Sequence, residues 1–289
     1  MSNERTFRTL PNRRTTYANV AKSLLPNQRK AMATLPKDVY SVPKLRIDDK
    51  HLTAYRQICG FINDGHVPAT YFAVLSQTLQ MNLMASKSFP FAMLGLVHLY
   101  NKVTQHRPIL DTEVVKLSVH LSNLRAHDKG QQFNFVTKVT SGDELLWEGV
   151  STYLSRQKTT AGNSSKPKTP PTRLAITPSG IHSELAIAED TGRRYALVSG
   201  DFNPIHLHAL TARAFGYPKA LAHGMWLQAR ALAYFTDLPV AFSCEVWFKA
   251  PVLLPAEVTF IAIKEDNDWQ FALYGKADRT HMDGSITPL

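Results

Sequence analysis

Residues 157–173, QKTTAGNSSKPKTPPTR, contain no large apolar side chain and are rich in Pro, Ser, Thr and Lys. Such a stretch has nothing to bury and favours an extended, solvated backbone. No single core can be built through it, so the 289-residue chain divides there into parts that must each pack around their own apolar residues. The expected organisation is a basic N-terminal extension over 1–46, a first lobe over 47–156, the linker, and a second lobe over 174–289.

Two lobes of similar length invite a comparison, because internal repetition would decide the fold. Three matches occur in the same order. Tyr55-Arg-Gln-Ile-Cys59-Gly60 parallels Tyr195-Ala-Leu-Val-Ser199-Gly200. Pro68-Ala-Thr-Tyr71 leads into the apolar run YFAVLSQTLQMNLMA as Ala222-His-Gly-Met225 leads into MWLQARALAYF. Both runs are long enough for helices and apolar around most of the circumference, which marks a helix enclosed by other elements. The segment from Leu94 to Leu110 then parallels that from Ser243 to Leu254, each reading as a strand stopped near a proline. Further strand-like stretches are KLSVHLSNL, FNFVTKVTS and ELLWEGVSTYLS in the first lobe, and VTFIAIKE and WQFALYGKA in the second. The expectation is an α+β fold of two copies, each a long buried helix wrapped by an antiparallel sheet. Chance likeness between unrelated halves is the alternative.

Charge and cysteine content narrow the function classes. The net charge of +10 is concentrated in residues 1–46, which carry +8 and leave +2 for the remainder. Without an interleaved aromatic array, the basic segment reads as solvated rather than as a nucleic-acid surface. Its Arg/Ser/Thr-rich start faintly resembles a transit peptide, but its prolines and weak apolar periodicity argue against an amphipathic helix. Cys59 and Cys244, both set among strand-like residues, have no metal-ligand spacing and read as small buried hydrophobes. No apolar run approaches the length of a membrane span and no secretory leader is evident, so a soluble, cytoplasmic protein is expected.

The copies differ where chemistry would sit. Gly60 and Thr70 are ten positions apart, whereas Gly200 and Gly224 are 24 apart. The added segment begins Gly200-Asp201-Phe202-Asn203-Pro204-Ile205-His206, and Phe61 stands in the first copy where Asp201 stands in the second. Gly200 permits a left-handed turn, and Pro204 fixes its own φ and pushes Asn203 out of the helical region. Asp201 offers a carboxylate and His206 an imidazole that titrates near neutrality, a pair able to take a proton from water and deliver one elsewhere. Asn203 can orient either partner or a substrate amide. His223 and Gly224 precede the apolar helix, so the Gly224 N–H should lie unpaired at the positive helix end, a natural donor to an oxyanion. Each motif alone has a structural explanation, as a turn or a cap. Their conjunction within 27 residues favours a working site, while His182 and His208 are given no role.

The string YALVSGDFNPIHLHALTARAFGYPKALAHGMW closely resembles the signature of the MaoC-like, or R-specific enoyl-CoA hydratase 2, family. The resemblance is strong over 188–226, moderate through the rest of the second half and weak before the linker. It implies the hot dog fold, here of the double type with a degenerate first lobe that leaves room for a long acyl chain. It places the family's catalytic residues on Asp201 and His206, its motif asparagine on Asn203 and its thioester-binding backbone glycine on Gly224.

The activity expected from this resemblance is reversible hydration of trans-2-enoyl-CoA to (3R)-3-hydroxyacyl-CoA without metal or redox cofactor. The alternatives are a dehydratase acting on acyl-carrier-protein-bound chains, with the basic segment as docking surface, and a non-catalytic acyl-thioester binding protein. The partner expected is therefore an acyl-CoA or acyl-carrier-protein thioester, with no nucleic acid. A monomer built as a pseudo-dimer, or a homodimer of it, fits two hot dog lobes in one chain.

Overall fold

The computed structural model describes residues 3–23, 34–157 and 173–289. In chain order the elements are β1 (Glu4–Thr6), α1 (Arg13–Ser23), β2 (Val39–Arg46), α2 (Asp49–Cys59), α3 (Tyr71–Met84), β3 (Leu96–Gln105), β4 (Val114–His127), β5 (Gly130–Ser141) and β6 (Glu144–Arg156). Then follow β7 (Ile181–Ile187), α4 (Thr191–Ser199), a 3-10 turn (Pro204–His206), α5 (Ala209–Arg213), α6 (Gly224–Leu232), β8 (Phe242–Phe248), β9 (Ala256–Glu265), β10 (Asp268–Tyr274) and β11 (Thr280–Pro288). Most of the linker lies outside the described residues. None of the helices described is long and apolar enough to cross a membrane.

The chain forms two compact units, each assembled from separate stretches. The first contains the described parts of Met1–Arg46, Leu75–Asn101 and Val114–Thr172, and the second Ile47–Val74, Lys102–Glu113 and Arg173–Leu289. The second unit thus takes α2 and the start of α3 from sequence that precedes the linker.

In the first unit β2, β4, β5 and β6 form an antiparallel ladder, with β1 added parallel to β2. Along β4 the alternation predicted for a half-buried strand is present, Val115, Leu117, Val119 and Leu121 all being buried. No residue of α3 is exposed, as its uniformly apolar circumference demands. The basic N-terminal segment is not merely solvated where it is described. It supplies the ladder strand β2, whose Val42 is fully buried. Its helix α1 buries only Thr16, whose hydroxyl accepts a 2.9 Å hydrogen bond from Asn82 Nδ2.

In the second unit the strand order β8-β11-β10-β9-β7 is antiparallel throughout. Helix α6 buries Trp226, Leu227, Gln228, Ala229, Ala231 and Leu232, and Gln228 Nε2 lies 3.9 Å from Cys244 Sγ of β8. The turn that follows seats Tyr234 and Phe235 against Phe260 of β9, and Phe235 also against Phe271 of β10. The first sequence match is a pair of helix ends: α2 and α4 stop at Gly60 and Gly200, both left-handed, at φ 79° and 76°. Cys59 accordingly ends a helix rather than sitting in a strand, because the apolar i, i+3, i+7 positions Leu52, Tyr55 and Cys59 form one buried helical face. Both cysteines are free and buried, and burial pushes the Cys244 thiol up to about 12. Helix α6 caps the end of α2: Trp226 Nε1 donates to Ile58 O and an Arg230 guanidinium N–H to Cys59 O, each at 2.9 Å. These are orphan carbonyls of the last turn, answered by a cation and an indole N–H.

Candidate active site

The loop between α4 and the 3-10 turn is tied mainly to itself and to one neighbouring strand-like segment. Asp201 N donates to Ser199 Oγ and Asn203 N to Asp201 Oδ1, both at 3.2 Å. Asn203 holds an extended ψ of 125°, as the following proline requires, and its Oδ1 accepts from Ile205 N at 3.4 Å. The Asn203 side chain therefore starts the 3-10 turn. Leu221 fixes the far end of the loop twice: its N–H donates to Ile205 O at 3.0 Å, and its carbonyl lies 2.9 Å from His206 Nδ1. Leu221 is in turn held beside Leu253, with Ala222 N bonded to Val252 O and Leu254 N to Ala220 O.

Because a carbonyl only accepts, His206 Nδ1 carries the proton and Nε2 keeps its lone pair. Burial lowers the His206 pKa below its ordinary 6.5, the Asp201 carboxylate and the Leu221 carbonyl opposing that shift. The ring is thus neutral and basic at Nε2 at neutral pH. His206 is further constrained by Gly192 at the start of α4, where a Cβ would overlap the His206 carbonyl oxygen.

His223 lies behind His206. It is 3% exposed, its ring stacks on that of His206 with centroids 3.7 Å apart, and the Tyr195 ring lies tilted beside it with centroids 5.0 Å apart. Its Nε2 donates to the backbone carbonyl of Asp201 at 3.0 Å. Burial first, then neighbouring His206, push its pKa down to about 3. It is neutral at physiological pH, so its 3.9 Å approach to the Asp201 carboxylate is no ion pair. His223 therefore joins the roots of the two predicted catalytic residues rather than presenting itself as an open donor.

Each of Asp201, His206 and His223 presents one potential ligand atom, all within 4.8 Å of one another. A single water can bridge two groups at separations up to about that limit, since two hydrogen bonds of about 2.8 Å at a tetrahedral oxygen span about 4.6 Å. Asp201, about one-third exposed at 35%, gives that position access to solvent.

Gly224 opens α6, and its N–H has no hydrogen-bond partner among the described residues. A Cβ there would stand 2.9 Å from the Phe248 ring, so only glycine leaves the helix start against β8 undisturbed. All five predicted site residues, Asp201, Asn203, His206, His223 and Gly224, therefore fall in one unit and along one short path of contacts. His208 caps α5 by accepting from Leu210 N, and His182 lies beside Glu184. Leu221 and Gly192 were not foreseen. The role of Leu221 is carried by its backbone, which no side-chain pattern reveals, and a glycine inside a helix start is the weak signal that marked Gly192.

Comparison with known proteins gives relatives in sequence and in structure. The family model described as MaoC like domain matches residues 163–283. The chain is 37% identical over 244 residues to 3-hydroxyacyl-thioester dehydratase X of Mycobacterium tuberculosis, an alignment covering 84% of this chain and 86% of that protein. The crystal structure of HtdX from Mycobacterium tuberculosis superposes with a TM-score of 0.76 at 35% identity, covering 86% of this chain and 99% of that one. A MaoC-like dehydratase from Phytophthora capsici shares the fold alone, with a TM-score of 0.64 at 18% identity over 87% of this chain and 95% of its own. The double hot dog architecture of these neighbours is the α+β plan expected from the sequence.

Proposed function

The chain belongs to the MaoC-like family of hydratases and dehydratases, and on that premise we propose that it adds water reversibly across the C2=C3 bond of a trans-2-enoyl thioester. The observation that supports this best is that Asp201 and His206 present polar atoms within 4.8 Å of each other, a reach one water can bridge, with the His206 tautomer set by the Leu221 carbonyl. In the hydration direction a water held by the pair loses a proton to His206 Nε2 as its oxygen bonds to C3. The C2=C3 electron pair moves toward the thioester carbonyl, where the Gly224 N–H at the positive end of α6 stabilises the developing oxyanion. C2 then takes a proton from the same pair on the same face, restoring the carbonyl and completing the net addition of one water. Every proton and electron pair in this scheme is handled by side chains and substrate, so it calls on no metal or redox cofactor. The motif's resemblance implies a 3R alcohol.

The test is loss of enoyl absorbance on mixing the purified chain with trans-2-enoyl-CoA of short, medium and long chain, followed by chiral analysis of the product. The same chains on an acyl carrier protein form a second arm. Turnover to the 3R alcohol in either arm is the expected result and identifies the carrier and the chain length. Binding of enoyl thioesters without turnover in both arms overturns the reading in favour of a thioester-binding protein.

A further inference from the structure

We propose that His51, on helix α2 of the degenerate first copy, is a positioning residue for the Asp201 loop, acting through the last turn of α4; the proposal rests on the hydration reading above. His51 Nε2 lies 2.8 Å from the carbonyl oxygen of Val198, and its Nδ1 lies 2.6 Å from the hydroxyl of Tyr71. A carbonyl cannot donate, so Nε2 bears hydrogen, and in the neutral ring Nδ1 accepts from the Tyr71 O–H. Tyr71 is fully buried and packs against Tyr55 with ring centroids 5.0 Å apart. An anchored phenol therefore fixes an imidazole, and the imidazole takes hold of α4.

The place where it does so matters. Val198 is in the final turn of α4, where carbonyls have no partner further along the helix. Two residues later Gly200 turns left-handed, its N–H bonded to Ala196 O, and the next residue is Asp201. Rotation of that last turn moves the start of the loop, whose Asp201 N–H is bonded to Ser199 Oγ of the same turn and whose Asp201 carbonyl is held by His223 Nε2. The other catalytic group, His206, is held by the Leu221 carbonyl and by stacking on His223. The distance between the two members of the pair thus depends on how firmly the end of α4 is braced, and His51 supplies that brace.

The same contacts give the first copy a present use. At the position corresponding to Asp201 it has Phe61, stacked on Tyr55, and at the position corresponding to Met225 it has Tyr71. The first copy thus offers an aromatic cluster from which one histidine reaches the end of α4.

Three substitutions in the full chain separate this role from general packing. Gln at position 51 can place an amide N–H near the Nε2 position and keep the bond to Val198, whereas Asn reaches only the Nδ1 position and loses it. His51→Ala and His51→Asn are expected to lower kcat about 10- to 100-fold with KM unchanged within twofold, and His51→Gln to retain kcat within about threefold of the parent. Amide hydrogen exchange over residues 200–206 should quicken in the Ala and Asn variants and not in Gln. Unchanged kcat and exchange in His51→Ala overturns the proposal, and so does equal behaviour of Asn and Gln. If the unmodified chain turns over no enoyl thioester, it is the hydration reading that fails, and the exchange pattern still decides whether His51 braces the loop.

Discussion

His206 and His223 lie face to face, their ring centroids 3.7 Å apart and their planes 25° from parallel. Two imidazolium ions so placed would repel with little water between them, so His206 can take up a proton only if His223 stays neutral. His223 meets this requirement through its burial, and in return holds the backbone of Asp201. A buried, unprotonated histidine is in this way the common support of both groups assigned to the water.

Removing either member of the pair should abolish most of the activity without unfolding the chain. Asp201→Asn and His206→Ala are each expected to lower kcat by about 10²- to 10⁴-fold, with circular dichroism unchanged. Steady-state kinetics on a trans-2-enoyl thioester measures the effect, and near-parental kcat in either folded variant would remove that residue from the mechanism.

The pH profile should carry the lowered pKa of His206. Since the neutral ring is the base, kcat/KM should stay level from neutral pH to below the ordinary histidine value of 6.5 and fall only at more acid pH. The Asp201 carboxylate raises the His206 pKa. In Asp201→Asn the acid limb of the residual activity should therefore move to still lower pH, and a limb moving upward would contradict the assignment.

Stability should fall with acid in the same region. His206 and His223 both have folded pKa values below 6.5, that of His223 at about 3. The unfolded chain therefore takes up protons first, so their contribution is complete above about pH 6.5 and is lost as the pH drops toward the folded values. Each contributes a slope of up to about 1.4 kcal/mol per pH unit. His223→Gln should flatten the dependence of the urea midpoint between pH 6.5 and pH 5, a window above the ordinary carboxylate range. An unaltered slope would mean that His223 does not titrate as described.

At Gly192 a methyl group has no room, because the obstacle is the backbone carbonyl of His206 and not a movable side chain. Gly192→Ala should cost about 1–3 kcal/mol of stability and lower kcat by displacing His206. Thermal unfolding and kinetics on the same preparation check both effects. Gly216→Ala, at an exposed left-handed glycine with open space around it, is the comparison, expected to lower stability through strain alone while leaving kcat in place.

Much of this site could be read from residue order alone. Asp201, Asn203, Pro204 and His206 are close in sequence, and a loop that short must bring them together, with the proline enforcing the extended Asn203 and the glycine the left-handed turn. The buried helices α3 and α6 were legible for a similar reason, since a helix apolar on all sides has no stable place at a surface. By contrast, β11, with the sequence THMDGSITP, lacks the β-branched alternation that marks a strand. It is one because β8 and β10 flank it on both sides, a case of neighbours overriding propensity.

What the sequence by itself determined is therefore local: which helices are enclosed, where the chain turns, and which acid and base share a loop. Only the tertiary structure decided which ring nitrogen of His206 is free, that His223 is neutral and internal, and that α2 of the first copy belongs with the second unit and grips the end of α4 through His51. The His206 tautomer and the grip on α4 depend on backbone carbonyls of Leu221 and Val198 supplied by a distant part of the chain, and the neutrality of His223 on its burial. Every residue type has the same carbonyl, so its partner is set by packing and leaves no mark in the order of side chains.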